Sequence, residues 1–290
     1  MIKGIFKESG VLSKILQLIV VLVFVLLSTL LIVGLVTNND MTNMHNLKIM
    51  QLIQSVGMFV VPPLALAFLW SEKPLHYLQL TTKLKLSSIL LVVVLMGVAI
   101  PFINLITSLN QQIALPDFLA PVEAWMKNSE EQAAVLTEKM LNIHSFNELL
   151  FNIFLIAMIP ALGEELFFRG TIQKILTQWR SAIWGIWIAA FVFSAIHLQF
   201  YGFFPRMLLG AFFGYLLVWS GSLWLPIIAH FTNNAIAVIF YYLKYNGYQV
   251  VDIDVIGSGE TLWLGVVSGV LTIGGIILIK KNLKLQEKGL

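Results

Sequence analysis

A few ionisable and amide side chains lie inside segments of the chain that are otherwise apolar. Six of them fall in three of the apolar segments: Glu164, Glu165, Arg169, His197, His230 and Asn234. A charged group inside a membrane span costs roughly 2.5–3.5 kcal/mol, and most of the other apolar segments contain none. A carboxylate can act as a general base, and His and Asn can donate hydrogen bonds to an oxyanion. We therefore expect these residues to form one site for acid–base chemistry.

The spacing of these residues supports a shared site. Glu165 and Arg169 are four residues apart, so they share one helix face and can form an ion pair. Glu164 is rotated about 140° from Arg169 around the helix and can point elsewhere. Glu164 and His197 lie at similar distances from the turn at 178–181, which places them at the same level of an antiparallel hairpin. His230 and Asn234 again share one face, four residues apart.

The composition of the chain shows which elements must position these residues. Of the 290 residues, 58% are hydrophobic and only 11% are charged, with a mean hydropathy of +0.87. This excludes a disordered chain and is typical of an integral membrane protein. Eight segments are apolar over roughly the 20 residues that a membrane helix needs. They are 12–36, 52–70, 88–109, 146–176, 182–197, 203–220, 223–242 and 262–279. The expected fold is an all-α, polytopic membrane bundle of about eight helices.

The distribution of charge predicts the orientation of the bundle. Basic residues concentrate before the first span, after the second and fourth spans, and in the C-terminal tail, which eight spans place on one side. By the positive-inside rule both termini are cytoplasmic. The net charge of +3 is small and the basic residues do not form one patch, so no nucleic-acid partner is expected. The chain has no cysteine, which excludes disulfides and thiolate sites.

We divide the chain into three parts. Residues 1–145 hold the N-terminal spans and an outer amphipathic helix at 121–141, which could lie on the membrane surface or cap a cavity. Residues 146–243 carry all six polar site residues and form the predicted catalytic core. Residues 244–290 hold the last span and the basic tail.

The three motifs, on the fourth, fifth and seventh spans, resemble those of a known family. Glu-Glu-x-x-x-Arg at 164–169, Phe-x-x-x-His at 193–197 and His-x-x-x-Asn at 230–234 look like the CPBP family of intramembrane proteases. This family includes the CAAX prenyl endopeptidases and the Abi and bacteriocin-immunity relatives. The resemblance covers about 151–240 and implies peptide-bond hydrolysis within the membrane, on a peptide or membrane-protein substrate. We expect the chain to lie in a bacterial cytoplasmic membrane.

The resemblance also assigns a role to each motif residue. Glu164 would be the general base that activates water, and His197 would help to hold that water. His230 and Asn234 would polarise the scissile carbonyl and stabilise its oxyanion. Glu165 and Arg169 would support the shape of the site. No metal or other cofactor is required by this glutamic mechanism.

Other functions remain open from the sequence. A zinc-dependent protease could use His197, His230 and Glu164 as ligands of Zn²⁺, although their spacing does not resemble His-Glu-x-x-His. A proton-coupled transporter would also bury Glu and His, but the chain lacks paired halves and interrupted helices in corresponding positions. A non-catalytic immunity protein of the same fold is the third alternative.

Overall fold

The chain folds as an all-α bundle of membrane helices, as the sequence predicts. The computed structural model describes residues 2–38, 40, 42–113 and 115–287, and for 285–287 only the backbone. Within those residues there is no strand. The longer helices are α1 (Val11–Thr37), α2 (Met44–Trp70), α3 (Leu86–Gln111), α4 (Ala120–Leu141), α5 (Phe146–Trp179), α6 (Ala182–Ala195), α7 (Phe203–Ser220), α8 (Trp224–Tyr245) and α9 (Leu262–Glu287). The end of the predicted basic tail, 288–290, lies outside the described residues.

One of the eight predicted spans is shorter than expected. Among the described residues, seven helical segments are long and apolar enough to cross a membrane, and α6 is a shorter apolar helix. It has 14 residues, or roughly 21 Å at 1.5 Å per residue, against a hydrocarbon core of about 30 Å. The prediction that this span reaches His197 is therefore wrong. The helix ends at Ala195, and Leu198 takes a positive φ of 55° as the chain turns away.

Helix α5 is not a regular α-helix. Two π-helical segments, Ile153–Met158 and Phe168–Gln173, flank the α-helical segment Ile159–Phe167 that carries the two glutamates. The first π-segment ends two residues before Pro160, whose missing N–H and bulky ring disturb the regular hydrogen-bond register. Such π-segments occur often at functional sites. The helix thus has two local changes of hydrogen-bond register.

The helices that carry the six polar residues pack closely together. Helices α6 and α7 approach each other at Gly210, where an added Cβ would lie 3.3 Å from the Ala190 Cα. The rings of Phe167, Phe168 and Phe193 pack edge to face in the core between α5 and α6. Helices α3 and α9 pack against each other and border α7 and α8. The site therefore lies between helices on several sides.

The predicted outer helix at 121–141 is present as α4. A capping box between Ser145 and Glu148 begins α5 directly after it. The fully buried Asn152 donates a hydrogen bond to the Met140 carbonyl at 2.6 Å, which ties the end of α4 to the start of α5. This anchor fixes the position of α4 over the polar residues of the bundle.

A second anchor holds the connection between α8 and α9. The Asn104 amide donates to the carbonyls of Ile253 and Ile256 at 2.6 and 2.9 Å. Gly257 follows with a positive φ of 96°, and a Cβ there would collide with the Pro101 carbonyl. Only glycine fits both constraints.

We expect Gly257→Ala to destabilise the protein by at least the roughly 1–3 kcal/mol that a strained backbone costs, because the collision with Pro101 adds to the strain. The measurement is thermal unfolding of the purified protein in detergent. Gly247→Ala is the matched control, since Gly247 also has a positive φ but an added Cβ meets nothing within 4 Å. Equal losses in both variants would show that the contact with Pro101 has no importance.

Candidate active site

A large polar cavity brings the predicted site residues together. Its volume is about 590 Å³, enough for a stretch of peptide rather than a single water. Four of the six residues line it: Glu164 from α5, His197 from the turn after α6, and His230 and Asn234 from α8. The cavity is therefore shared by the three motif-bearing segments.

The two adjacent glutamates have different surroundings. The Glu165 side chain is completely buried, while that of Glu164 is 15% exposed and faces the cavity. The geometry thus distinguishes an inner carboxylate, Glu165, from an outer one, Glu164. Glu164 is the carboxylate that a bound peptide or water can reach.

Arg169 holds the inner carboxylate in place. Its Nη1 donates to Glu165 Oε1 at 2.8 Å, and its Nη2 donates to the Gly210 carbonyl of α7 at 2.8 Å. The guanidinium also lies over the Phe193 ring, 4.7 Å from its centroid. The expected ion pair within α5 is present, and the same guanidinium links α5 to α7.

His230 lies between the two carboxylates. Its Nδ1 is 2.8 Å from Glu165 Oε1, and its Nε2 is 3.8 Å from Glu164 Oε2. The imidazole stacks on the Phe213 ring with 5.2 Å between centroids. Because the Glu165 carboxylate already accepts a hydrogen bond from Arg169, it acts as an acceptor for His230 as well, and Nδ1 carries the hydrogen. Nε2 is then the ring atom that faces Glu164.

His197 is oriented by the backbone of its own segment. Its Nδ1 lies 2.7 Å from the Phe193 carbonyl. A carbonyl can only accept a hydrogen bond, so Nδ1 carries the hydrogen and the neutral ring has a lone pair on Nε2. This assigns an acceptor at the cavity wall, suited to a water molecule.

Asn234 is positioned by the irregular part of α5. Its Nδ2 lies 3.5 Å from the Ile156 carbonyl. Pro160, four residues later, has no N–H to serve that carbonyl in an α-helix. The Asn233 amide donates to Asn234 Oδ1 at 3.3 Å, which fixes the orientation of the Asn234 amide. One of its N–H bonds is then left for a group in the cavity.

A family of known proteins matches the part of the chain that carries the site residues. Residues 146–236 match the type II CAAX prenyl endopeptidase Rce1-like family. This match confirms the resemblance to the CPBP proteases that the three motifs carry. The Rce1-like segment contains all six polar residues and corresponds to α5, α6, α7 and the first half of α8.

One curated protein is similar to part of this chain. The chain is 25% identical over 119 residues to an uncharacterized protein, YpbD, of Bacillus subtilis (strain 168). The similarity covers 40% of this chain and 57% of that protein, so the chain spans little more than half of the length of this relative. No solved structure matches the chain.

The cavity also contains polar residues that sequence reasoning did not assign. Arg206, near the start of α7, donates from Nη1 and Nη2 to the Gln199 carbonyl and Oε1 at 3.1 and 2.9 Å. Glu130 of α4 lines the cavity and accepts a hydrogen bond from the Tyr201 N–H at 3.3 Å. A charge within an apolar span could have drawn attention to Arg206. Nothing in the amphipathic pattern of α4 marks Glu130, which reaches the site only because α4 caps it.

The geometry also bears on the alternative metal ligands. Within the described part of the chain, no group of three His, Asp or Glu side chains is arranged to hold a metal ion. The zinc alternative requires His197, His230 and Glu164 to converge with their free nitrogen and oxygen atoms near 2 Å from one point.

Proposed function

We propose that this integral membrane protein is an intramembrane endopeptidase that hydrolyses a peptide bond with water activated by Glu164. The observation that carries the proposal is the position of this carboxylate. It opens into a polar cavity among membrane helices, with His230 Nε2 3.8 Å away. The match of 146–236 to the Rce1-like family supports the same class of reaction. The substrate is a peptide or a membrane protein that reaches the cavity.

The reaction begins with a water molecule between Glu164 and His197. Glu164 accepts one proton of the water, and His197 Nε2 accepts a hydrogen bond from the other. The water oxygen attacks the carbonyl carbon of the scissile bond, which gives a tetrahedral intermediate with a negative oxygen. A carboxylate general base of this type contributes about 10²–10⁴-fold in rate.

His230 needs a proton on Nε2 before it can stabilise the oxyanion. Since Nδ1–H donates to Glu165, Nε2 of the neutral ring is an acceptor. The proton that Glu164 takes from water can cross to Nε2. From there His230 donates a hydrogen bond to the oxyanion, and the proton is finally delivered to the leaving nitrogen as the carbon–nitrogen bond breaks. The products are a new carboxyl group and a new amino group.

Glu165 and Arg169 act as positioning residues in this scheme. They do not face the substrate, but the carboxylate of Glu165 fixes the tautomer and the ring orientation of His230. A histidine that acts in catalysis is commonly oriented in this way by a buried acceptor. The pair thus acts on the reaction through His230.

Asn234 is the second oxyanion donor in this proposal. We expect Asn234→Ala to lower kcat by about 10²–10³-fold, the usual loss for one oxyanion-hole donor, with a smaller change in KM. The measurement is steady-state cleavage of a quenched peptide in detergent. Asn128→Ala, on the exposed surface of α4, is the control. A loss confined to KM would contradict the assignment of Asn234 to the transition state.

We also propose an orientation in which both termini face the cytoplasm of a bacterial cell. The support is the concentration of lysine and arginine in the loops and ends that lie on one side of the bundle. The connection between α8 and α9 on the other side carries Asp252 and Asp254. Reaction of single introduced cysteines with a membrane-impermeant reagent would test this topology.

The proposed activity itself is tested by product analysis. Membrane-embedded peptides of mixed sequence are incubated with the protein in nanodiscs, and the products are identified by mass. Two complementary fragments, with solvent oxygen in the new carboxyl group, support endopeptidase activity. Proton-coupled solute uptake into sealed vesicles without any cleavage would favour a transporter. The absence of both cleavage and uptake would favour a non-catalytic immunity protein.

A further inference from the structure

A second polar cluster lies where α1 begins and α5 ends, and none of its residues lines the catalytic cavity. We call it the basic niche; it consists of Lys14, Trp70, Tyr77, Lys174 and Gln178. Lys14 Nζ donates to Gln178 Oε1 at 3.0 Å and lies 5.6 Å from the centroid of the Trp70 ring. Lys174 Nζ donates to the Tyr77 carbonyl and lies 4.4 Å from the centroid of the Tyr77 ring. Two ammonium groups are thus held against two aromatic walls.

The charges of the basic niche are not balanced by the protein. Among the described residues, no carboxylate forms an ion pair with Lys14 or Lys174. Lys14 is only 7% exposed, although a lysine at a helix end can normally extend its ammonium group into water. Buried charges of one sign are costly unless an opposite charge accompanies them. An anion from outside the chain would balance these two charges.

The polar groups of the niche indicate the kind of anion. The Tyr77 hydroxyl is buried and has no hydrogen-bond partner among the described residues. Burial raises the pKa of Tyr77 to about 12, so the hydroxyl keeps its proton at neutral pH. Two ammonium groups in one cluster suit an anion with several acceptor oxygens, which is the chemistry of a phosphate group.

The position of the niche indicates where such a phosphate would come from. Gln178 is exposed, so the niche opens at the end of α5. Beside it the exposed Trp179 and Trp184 form an aromatic border, with Arg180 4.8 Å from the centroid of the Trp184 ring. Trp and basic residues of this kind mark the level of the lipid headgroups. We propose that the basic niche binds the phosphate of an anionic membrane lipid.

The experiment measures lipid-dependent stability of the whole chain. The protein is placed in phosphatidylcholine nanodiscs with increasing phosphatidylglycerol, and the rise in Tm gives an apparent affinity. We expect Lys14→Gln/Lys174→Gln to weaken this affinity about 25-fold, or about five-fold per lysine. Lys83→Gln/Lys85→Gln removes the same charge from exposed positions on the same side and should change the affinity little. Equal weakening in both pairs would overturn the proposal.

Two further arms separate lipid from free anion and from misfolding. Inorganic phosphate added to phosphatidylcholine nanodiscs should not reproduce the stabilisation; if it does so through the same lysines, the lipid assignment is wrong. Lys14→Met/Lys174→Met should be as stable as wild type or more so in neutral nanodiscs, because the buried charges are gone. The same variant should no longer respond to phosphatidylglycerol. A wild-type response in this variant would overturn the proposal even if the glutamine pair fails to fold.

Discussion

Glu164→Gln is expected to lower kcat for peptide cleavage by about 10²–10⁴-fold, the contribution of a general base. The amide has nearly the same shape as the carboxylate but cannot accept a proton from water. Glu164 is the partly exposed carboxylate of the pair and lies 3.8 Å from His230 Nε2. The fold should survive, because Glu164 is not the carboxylate that holds Arg169. The measurement is cleavage of a quenched peptide, with thermal unfolding of the same preparation.

The control for this prediction is Glu131→Gln, the same change on the exposed surface of α4. It should leave both cleavage and stability near those of the wild type. Substantial cleavage by Glu164→Gln, within a few-fold of the control, would contradict the role of Glu164 as the base. A loss of activity accompanied by a large loss of stability would place Glu164 among the structural residues instead.

Arg169→Ala is expected to destabilise the protein by about 3–5 kcal/mol, because it leaves the Glu165 carboxylate buried without its cationic partner. Both side chains are almost completely buried. The change also removes the hydrogen bond to the Gly210 carbonyl, which links α5 to α7. Arg169→Lys should restore only part of the loss, because one ammonium group cannot reproduce the two-pronged geometry of the guanidinium. Unfolding in detergent, by heat or denaturant, measures the effect.

A double variant separates the loss of the pair from the loss of either residue. Arg169→Met/Glu165→Gln should be more stable than Arg169→Ala, because it leaves no unpaired charge in the interior. Its cleavage should still be slow, since His230 loses the carboxylate that orients it. Arg180→Ala removes an exposed guanidinium and serves as the control. If Arg169→Ala is no less stable than Arg180→Ala, the buried pair does not contribute to the fold.

The sequence was sufficient to predict the features that depend on local spacing or on hydrophobic length. Apolar runs of about 20 residues predicted eight spans, and among the described residues seven of them are helices long enough to cross a membrane, because bilayer thickness sets helix length. The ion pair of Glu165 and Arg169 followed from a four-residue separation. The grouping of Glu164, His197, His230 and Asn234 around one cavity followed from the cost of polar groups in a membrane. Their catalytic roles stay a prediction.

Features that depend on packing between distant elements could not be predicted. The π-segments around Ile159–Phe167 change the helix register, and hydropathy does not report register. The end of α6 at Ala195 could not be predicted from hydropathy either, since Ile196 and Leu198 are as apolar as the residues before them. Glu130 reaches the cavity because Asn152 anchors the end of α4. Each of these depends on contacts that no single segment encodes.

The most direct test of the central claim joins activity and metal content in one preparation. Wild type and Glu164→Gln are assayed on the same quenched peptide library, with and without a strong chelator, and bound zinc is quantified. The glutamic mechanism predicts cleavage by the wild type that survives chelation, no stoichiometric zinc, and little cleavage by Glu164→Gln. Cleavage that is lost with the chelator and restored by zinc would contradict it and would make Glu164, His197 and His230 metal ligands.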